Sequence, residues 1–254
     1  MHRRSDPTWY VISLRPRGEH AALRRAAARC GAGFIALSPW RLAARDDAAT
    51  RRALDAALAA SAVVFTSPAA VRAARALHAF VPRPGQAWCA VGAGTAAALR
   101  RAGVPAVHTP ARMDSEGLLA LHALQDVDGA VVGLVTAPGG RGEIAPALQA
   151  RGADVRRADV YAREPVPLPA RALQQLRETT APLVLALSSG DALRLAMDAL
   201  PAELATKLRR AHVVAASERL RTLAQQLGFA DVAVAAGPRP AQLLAAATRR
   251  HPVA

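Results

Sequence analysis

Short apolar runs recur along this chain, and each is soon followed by a helix-patterned stretch, several of which a glycine stops. Ala62–Phe65 leads into Pro68–Leu77, Trp88–Val91 into Thr95–Ala102 and Gly103, and His212–Ala215 into Glu218–Leu227 and Gly228. Runs this short, without polar alternation, suit strands buried on both faces, as in parallel sheets. A glycine just past a helix accepts the left-handed conformation that closes its last turn. The pattern predicts an α/β protein built on parallel sheets. Further strands are expected at Trp9–Leu14, Phe34–Leu37, Ala106–His108, Ala130–Val135, Val155–Tyr161, Leu183–Leu187 and Val232–Val234. Helices are expected at His20–Arg29, Ala48–Ala59, Ser115–Leu124, Ile144–Arg151, Arg171–Arg177, Leu193–Ala199, Ala202–Leu208 and Ala241–Arg249.

Two internal parallels divide the chain into similar halves. Val63–Arg72 (VVFTSPAAVR) resembles Leu185–Arg194 (LALSSGDALR): in both, a strand ends in a hydroxyl pair where a helix starts. Tyr10–Phe34 resembles Val132–Val155 as strand, Arg- and Gly-bearing loop, helix, glycine, strand. Pro-bearing segments just after strands, at 38–41 and from 162 onward, are the linker candidates.

The 254 residues are 52% hydrophobic but only 4% aromatic, so the core must be mostly Ala, Leu and Val. No apolar run reaches the ~18 residues of a membrane span. The apolar part of the N-terminus, Trp9–Leu14, is too short for a signal segment and is followed by Arg15 and Arg17, so a cytoplasmic location is expected. Cys30 and Cys89 stand alone, and the seven histidines form no ligand spacing, so no metal is expected. The net charge of +14 comes from 32 Arg and one Lys, Lys207, against the acids. The arginines are spread along the chain, which suits a composition bias, with a few left for an anionic partner whose oxygens a guanidinium fork matches. A specific nucleic-acid partner is not expected, because there is no basic tract, aromatic platform or recognisable motif.

Three stretches carry candidate chemistry. Gly92-Ala93-Gly94-Thr95-Ala96-Ala97 fits GxGxx[GA] between strand and helix. The acid that would hold a dinucleotide ribose is missing from the end of the next strand, at His108-Thr109. A tight turn and an anion held by helix-start amides, with Thr95 adding a hydroxyl, are the other readings. Thr66-Ser67-Pro68 and Ser188-Ser189-Gly190 can cap helices and also contact a ligand, since both lie at the carboxyl ends of strands. Neither sits in a nucleophile motif. Pro138-Gly139-Gly140-Arg141-Gly142 lacks the GK[ST] ending of a phosphate loop. Tyr161 lies at a strand end beside a linker.

In combination and order, these stretches resemble the uroporphyrinogen-III synthase family. The match runs through Val64–Val71, Ala90–Leu99, Asp114–Leu119, the Gly-rich loop leading into Leu148–Gly152, Val160-Tyr161, Ser188-Ser189 and Ser217–Leu220. The resemblance implies two α/β domains joined by a two-stranded linker, with a ligand cleft between them. The first would be 1–37 plus 168–254, the second 42–161, with linkers at 38–41 and 162–167. It implies a carbon–oxygen lyase without cofactor, expected as a monomer, that closes the linear tetrapyrrole hydroxymethylbilane with loss of water and inversion of ring D. Tyr161 corresponds to the family's linker tyrosine and would assist the departing hydroxyl, a phenol keeping its proton at neutral pH. Arg15, Thr66, Ser67, Gly92, Thr95, Ser115, Ser188, Ser189, Ser217 and Arg219 would hold the carboxylate arms. The family often has a polar or basic residue after Thr-Ser-Pro, and here it is Ala69. The rival reading is a two-domain protein that binds a small anion without catalysis.

Overall fold

The structure is a computed structural model that describes residues 7–139 and 142–250. Gly140 and Arg141, part of the Gly-rich loop noted above, lie outside the described residues. The chain forms two compact units, Met1–Arg41 with Glu164–Ala254, and Leu42–Arg163.

The first unit contains β1 (Tyr10–Ser13), α1 (Ala21–Arg29) and β2 (Gly33–Ala36). The chain then forms β3 (Trp40–Ala44) and enters the second unit with α2 (Ala48–Leu58), β4 (Ala62–Phe65), α3 (Pro68–Leu77), β5 (Ala87–Ala90), α4 (Ala93–Arg101) and the short α5 (Ser115–Leu119). A 3₁₀ turn at His122–Leu124 precedes β6 (Val131–Thr136), α6 (Ile144–Gln149) and β7 (Asp154–Asp159). After β8 (Tyr161–Pro165), the first unit resumes with α7 (Ala170–Glu178), β9 (Leu183–Leu187), α8 (Gly190–Ala199), α9 (Ala202–Arg209), β10 (His212–Ala215), α10 (Glu218–Gln226), β11 (Val232–Val234) and α11 (Pro240–Thr248).

Each unit is built on an all-parallel sheet. The first has the order β11-β10-β9-β1-β2 and the second β5-β4-β6-β7. Strands β4, β9 and β10 are buried at every residue, as the unbroken apolar runs of β4 and β9 and of residues 213–215 in β10 require. The cores are largely Ala, Leu and Val. The second unit concentrates scarce aromatic mass in one cluster: Phe65, Phe80 and Trp88 have ring centroids 5.4–5.8 Å apart. Such pairs add ~0.5–1.5 kcal/mol each beyond the area they bury.

The paired strands expected of the linker are β3 and β8, which extend beyond the expected segments 38–41 and 162–167 to include residues 42–44 and Tyr161. Three local expectations need correction. The expected strand Val155–Tyr161 is two strands, β7 and β8, in different sheets and separated by buried Val160. Ala106–His108 reduces to an isolated bridge between Cys89 and His108, because Pro105 and Pro110 bracket the segment and lack donors. The helix expected over Ser115–Leu124 breaks after Leu119. Arg151 compensates by donating from Nη1 to the carbonyls of Leu119 (2.7 Å) and Leu124 (2.5 Å).

Gly133 in β6 marks a very close backbone approach in the second unit. A Cβ there would overlap the carbonyl oxygen of Ala57 on α2. Neither partner is a flexible side-chain end, so Gly133→Ala must move helix or sheet. The expected loss is ~1–3 kcal/mol of stability in urea unfolding, without loss of the α/β circular dichroism signature.

Candidate functional site

In an open parallel sheet, ligands bind beyond the carboxyl ends of the strands where the direction of winding reverses. In the second unit β4 connects outward to β5, whereas its other neighbour β6 connects the opposite way to β7. The reversal therefore lies between β4 and β6. Phe65 pairs with Val135, so the next residues, Thr66 and Thr136, leave the sheet side by side. Their hydroxyls are 2.7 Å apart.

A cavity of about 220 Å³ opens at that point. Its walls combine Thr66 and Ser67 after β4, Ser115 on α5, Thr136 and the loop through Gly139, Gly142 and Glu143 after β6, Arg157 on β7, and Tyr161 and Arg163 on β8. Tyr161 is 5% exposed, and its phenol oxygen lies 3.1 Å from Ser67 Oγ. Ser67 Oγ also accepts the amide of Ala70 at 3.1 Å, which makes it the N-cap of α3. The hydroxyl that starts the helix therefore also fixes the phenol. Arg157 bonds Asp159 at 3.0 Å and the carbonyl of Ala137 at 3.3 Å, which tethers its guanidinium at the cavity wall. The loop turns at Gly139 and Gly142 with φ of +84° and +70°, a conformation open to glycine without strain.

Four residues singled out from the sequence thus share one cavity: Thr66, Ser67, Ser115 and Tyr161. Gly92 and Thr95 do not line it. Thr95 is 4% exposed, and its amide donates to the carbonyl of Gly92 at 3.0 Å. Gly92 has an extended φ of −165°, and a Cβ at Gly92 or Gly94 would make ordinary contacts with Met113 (3.4 Å) or Pro68 (3.7 Å). The glycine pair is therefore not a left-handed tight turn. Its backbone enters α4 with Gly92 as the N-cap residue. Thr136, Arg157 and Arg163 were missed from sequence. The readable signal for Thr136 was its place in the internal parallel: it is to Thr66 what Arg15 is to Ser188 in the other half.

In the first unit the reversal falls between β9 and β1. Ser13 pairs with Ala186, so Arg15 and Ser188 each lie two positions further along neighbouring strand ends. Arg15 Nε is buried and unpartnered among the described residues, and burial lowers the guanidinium pKa, partly opposed by Glu19. Ser189 caps α8 through the amide of Ala192 at 3.3 Å. Ser217 is the N-cap residue of α10 without a side-chain cap bond, and Arg219 is exposed in its first turn. Near Arg15, buried His20 is held between Ser13 Oγ (2.9 Å) and Ser38 Oγ (2.6 Å). Burial, then the nearby Arg24 and Arg15, push its pKa down to about 4.

Cys89 is not a candidate nucleophile. It is fully buried, and burial raises its thiol pKa to about 12. Among the described residues, no group of three or more His, Cys, Asp or Glu is placed to hold a metal ion.

These features define a parallel-sheet α/β protein in two units, with a hydroxyl- and arginine-lined ligand pocket at a winding reversal. The chain matches the family model described as uroporphyrinogen-III synthase HemD over residues 21–245. It belongs to the uroporphyrinogen-III synthase family, enzymes of heme biosynthesis that act on a tetrapyrrole. A mutant uroporphyrinogen III synthase from the extreme thermophile Thermus thermophilus has a similar fold, with a TM-score of 0.59 and 19% identity over 94% of this chain and 97% of that one. Uroporphyrinogen-III synthetase from Helicobacter pylori 26695 gives a TM-score of 0.62 and 13% identity over 95% and 99%.

The His20 arrangement sets a pH dependence. An unfolded chain protonates this histidine near pH 6.5, whereas the folded one resists until about pH 4. Between those values the unfolded state binds more protons, so stability is full above the window and falls as pH drops through it. The shift sets an upper bound of about 3 kcal/mol, which solvent screening reduces. Urea midpoints should decline from pH 6.5 to about 4, and His20→Asn should flatten that part of the profile.

Proposed function

We propose that this chain is a carbon–oxygen lyase that closes hydroxymethylbilane to uroporphyrinogen III, with loss of water and inversion of ring D. We read it as acting without a cofactor, as a monomer in the cytoplasm. The residues 38–41 and 162–167 are proposed as linkers between the domains 1–37 plus 168–254 and 42–161.

The observation that carries this reading beyond family membership is the setting of Tyr161. Its phenol is anchored to Ser67 at 3.1 Å, in a cavity also walled by Thr66, Ser115, Thr136, Arg157 and Arg163. If Ser67 donates its proton to the phenol oxygen while accepting from Ala70, the phenol proton is left to point into the cavity. There it can be donated to the departing hydroxyl, which leaves as water. The resulting electrophilic methylene is then attacked by a carbon of ring D. Attack from the substituted carbon gives a spiro intermediate. Its older bond to the neighbouring methylene then breaks and re-forms at the free α-carbon of ring D. That carbon loses a proton, which balances the one the phenol gave, and the product is inverted.

Little chemical power is needed once water has left. Preferring one closure ~100–1,000-fold takes ~3–4 kcal/mol of differential stabilisation. Several charge-assisted hydrogen bonds to carboxylate arms can supply that by fixing the conformation of ring D. Arginines and hydroxyls at the ends of β4, β6, β7 and β8 are suited to that task. The proposed contacts in the first unit are Arg15, Ser188, Ser189, Ser217 and Arg219. Near α4 the proposed contact is Gly92, since the Thr95 side chain is buried and its amide already bonds the Gly92 carbonyl.

Incubation with hydroxymethylbilane, oxidation and separation of the isomers tests the reading. The expected product is type III, and an isomer ratio equal to that of the enzyme-free reaction would refute it. Tyr161→Phe should lower kcat by ~10²-fold while its urea midpoint stays close to that of the parent protein. Near-parental turnover in that variant would remove the proton-donor role.

A further inference from the structure

A second cavity, of about 490 Å³, lies within the first unit and includes none of the candidate site residues. Arg17, Arg24 and Arg171 reach it from three separate segments, the loop after β1, α1 and α7. No Asp or Glu is among its described lining residues.

Two of the three cations are already oriented. The Arg24 guanidinium lies 4.5 Å over the Phe34 ring, which fixes its plane by cation–π attraction. His20 meets the same ring edge-on at 5.8 Å, and both its nitrogens are engaged by serines. Arg17 donates from Nη2 to the carbonyl of Pro167 at 3.1 Å, which leaves further donors on the same fork. Arg171 sits in the first turn of α7.

The backbone adds charge of the same sign. Helices α1 and α7, each nine residues long, begin at this cavity with His20 and Pro169 as N-cap residues. Neither N-cap makes a side-chain cap bond, and neither first turn carries an acidic residue. The positive ends of both helix dipoles thus add to three guanidinium groups. Convergent positive charge without a carboxylate is what an oxyanion requires, and the volume lies within the usual ~300–1,000 Å³ of ligand sites.

We propose that this cavity is an oxyanion site, read by Arg17, Arg24 and Arg171, for a molecule that carries two or more carboxylate or phosphate groups. One source is a carboxylate arm of the tetrapyrrole substrate, which rests on the function proposed above. The other is a free small polyanion, which does not.

Calorimetric titration of the full chain with pyrophosphate and with citrate at low salt, beside steady-state kinetics with hydroxymethylbilane, tests this. The variants are Arg24→Gln/Arg171→Gln and, as a control for general charge loss, Arg100→Gln/Arg101→Gln on exposed positions of α4. A free-polyanion site gives binding that the first variant weakens at least ~10-fold and the control does not, with KM unchanged. A substrate-arm site gives a KM raised at least ~10-fold in the first variant alone, with kcat retained, whether or not the free anions bind. Unchanged KM, together with anion binding that is absent or equal in parent and variant, overturns the proposal. So does an equal loss in the control.

Discussion

The candidate site depends on one geometric constraint: parallel strands that reverse their winding leave a gap that helices cannot close. Between β4 and β6 the connections run off in opposite directions, so the carboxyl ends of both strands stay open. The register then decides which side chains meet there. Phe65 opposite Val135 places Thr66 beside Thr136, and their hydroxyls bond at 2.7 Å. The same logic in the first unit puts Arg15 and Ser188 beyond the ends of β1 and β9. A one-residue slip in either pairing would turn these side chains to the other face of the sheet.

The hydroxyl residues serve two ends at once. Ser67 starts α3, a role worth ~1 kcal/mol, and also holds Tyr161 at the cavity wall. Tying the phenol to a helix start makes its position a property of the fold rather than of a mobile side chain. Preorganisation of this kind suits a reaction in which the choice between two closures matters more than the height of one barrier.

The arginines divide by setting rather than by number. Arg151 bridges a helix break by bonding the carbonyls of Leu119 and Leu124, and Arg41, Arg177 and Arg221 form exposed ion pairs of small worth. Arg157 is tethered where a ligand can reach it. Composition could not separate these uses, because a guanidinium's role is set by what lies within ~3–4 Å of it.

Much of this protein was determined locally. The apolar runs Ala62–Phe65 and Leu183–Leu187, and the largely apolar His212–Ala215, became strands with those bounds, because full burial needs no partner-specific pattern. The hydroxyl–Pro and hydroxyl–Gly junctions became helix starts, because capping is a contact between residues three apart. Tertiary structure alone decided the rest. Trp40–Ala44 carries Arg41 and mixed burial, and it is a strand only because Tyr161–Pro165 lies alongside. The hydrogen bond between Tyr161 and Ser67 joins residues 94 positions apart, and that between Thr66 and Thr136 spans 70. Thr95 read as an available hydroxyl yet is buried, since the face of α4 turned inward depends on what packs on it. Residue chemistry sets which groups are able to bond, whereas the register of distant strands sets which of them meet.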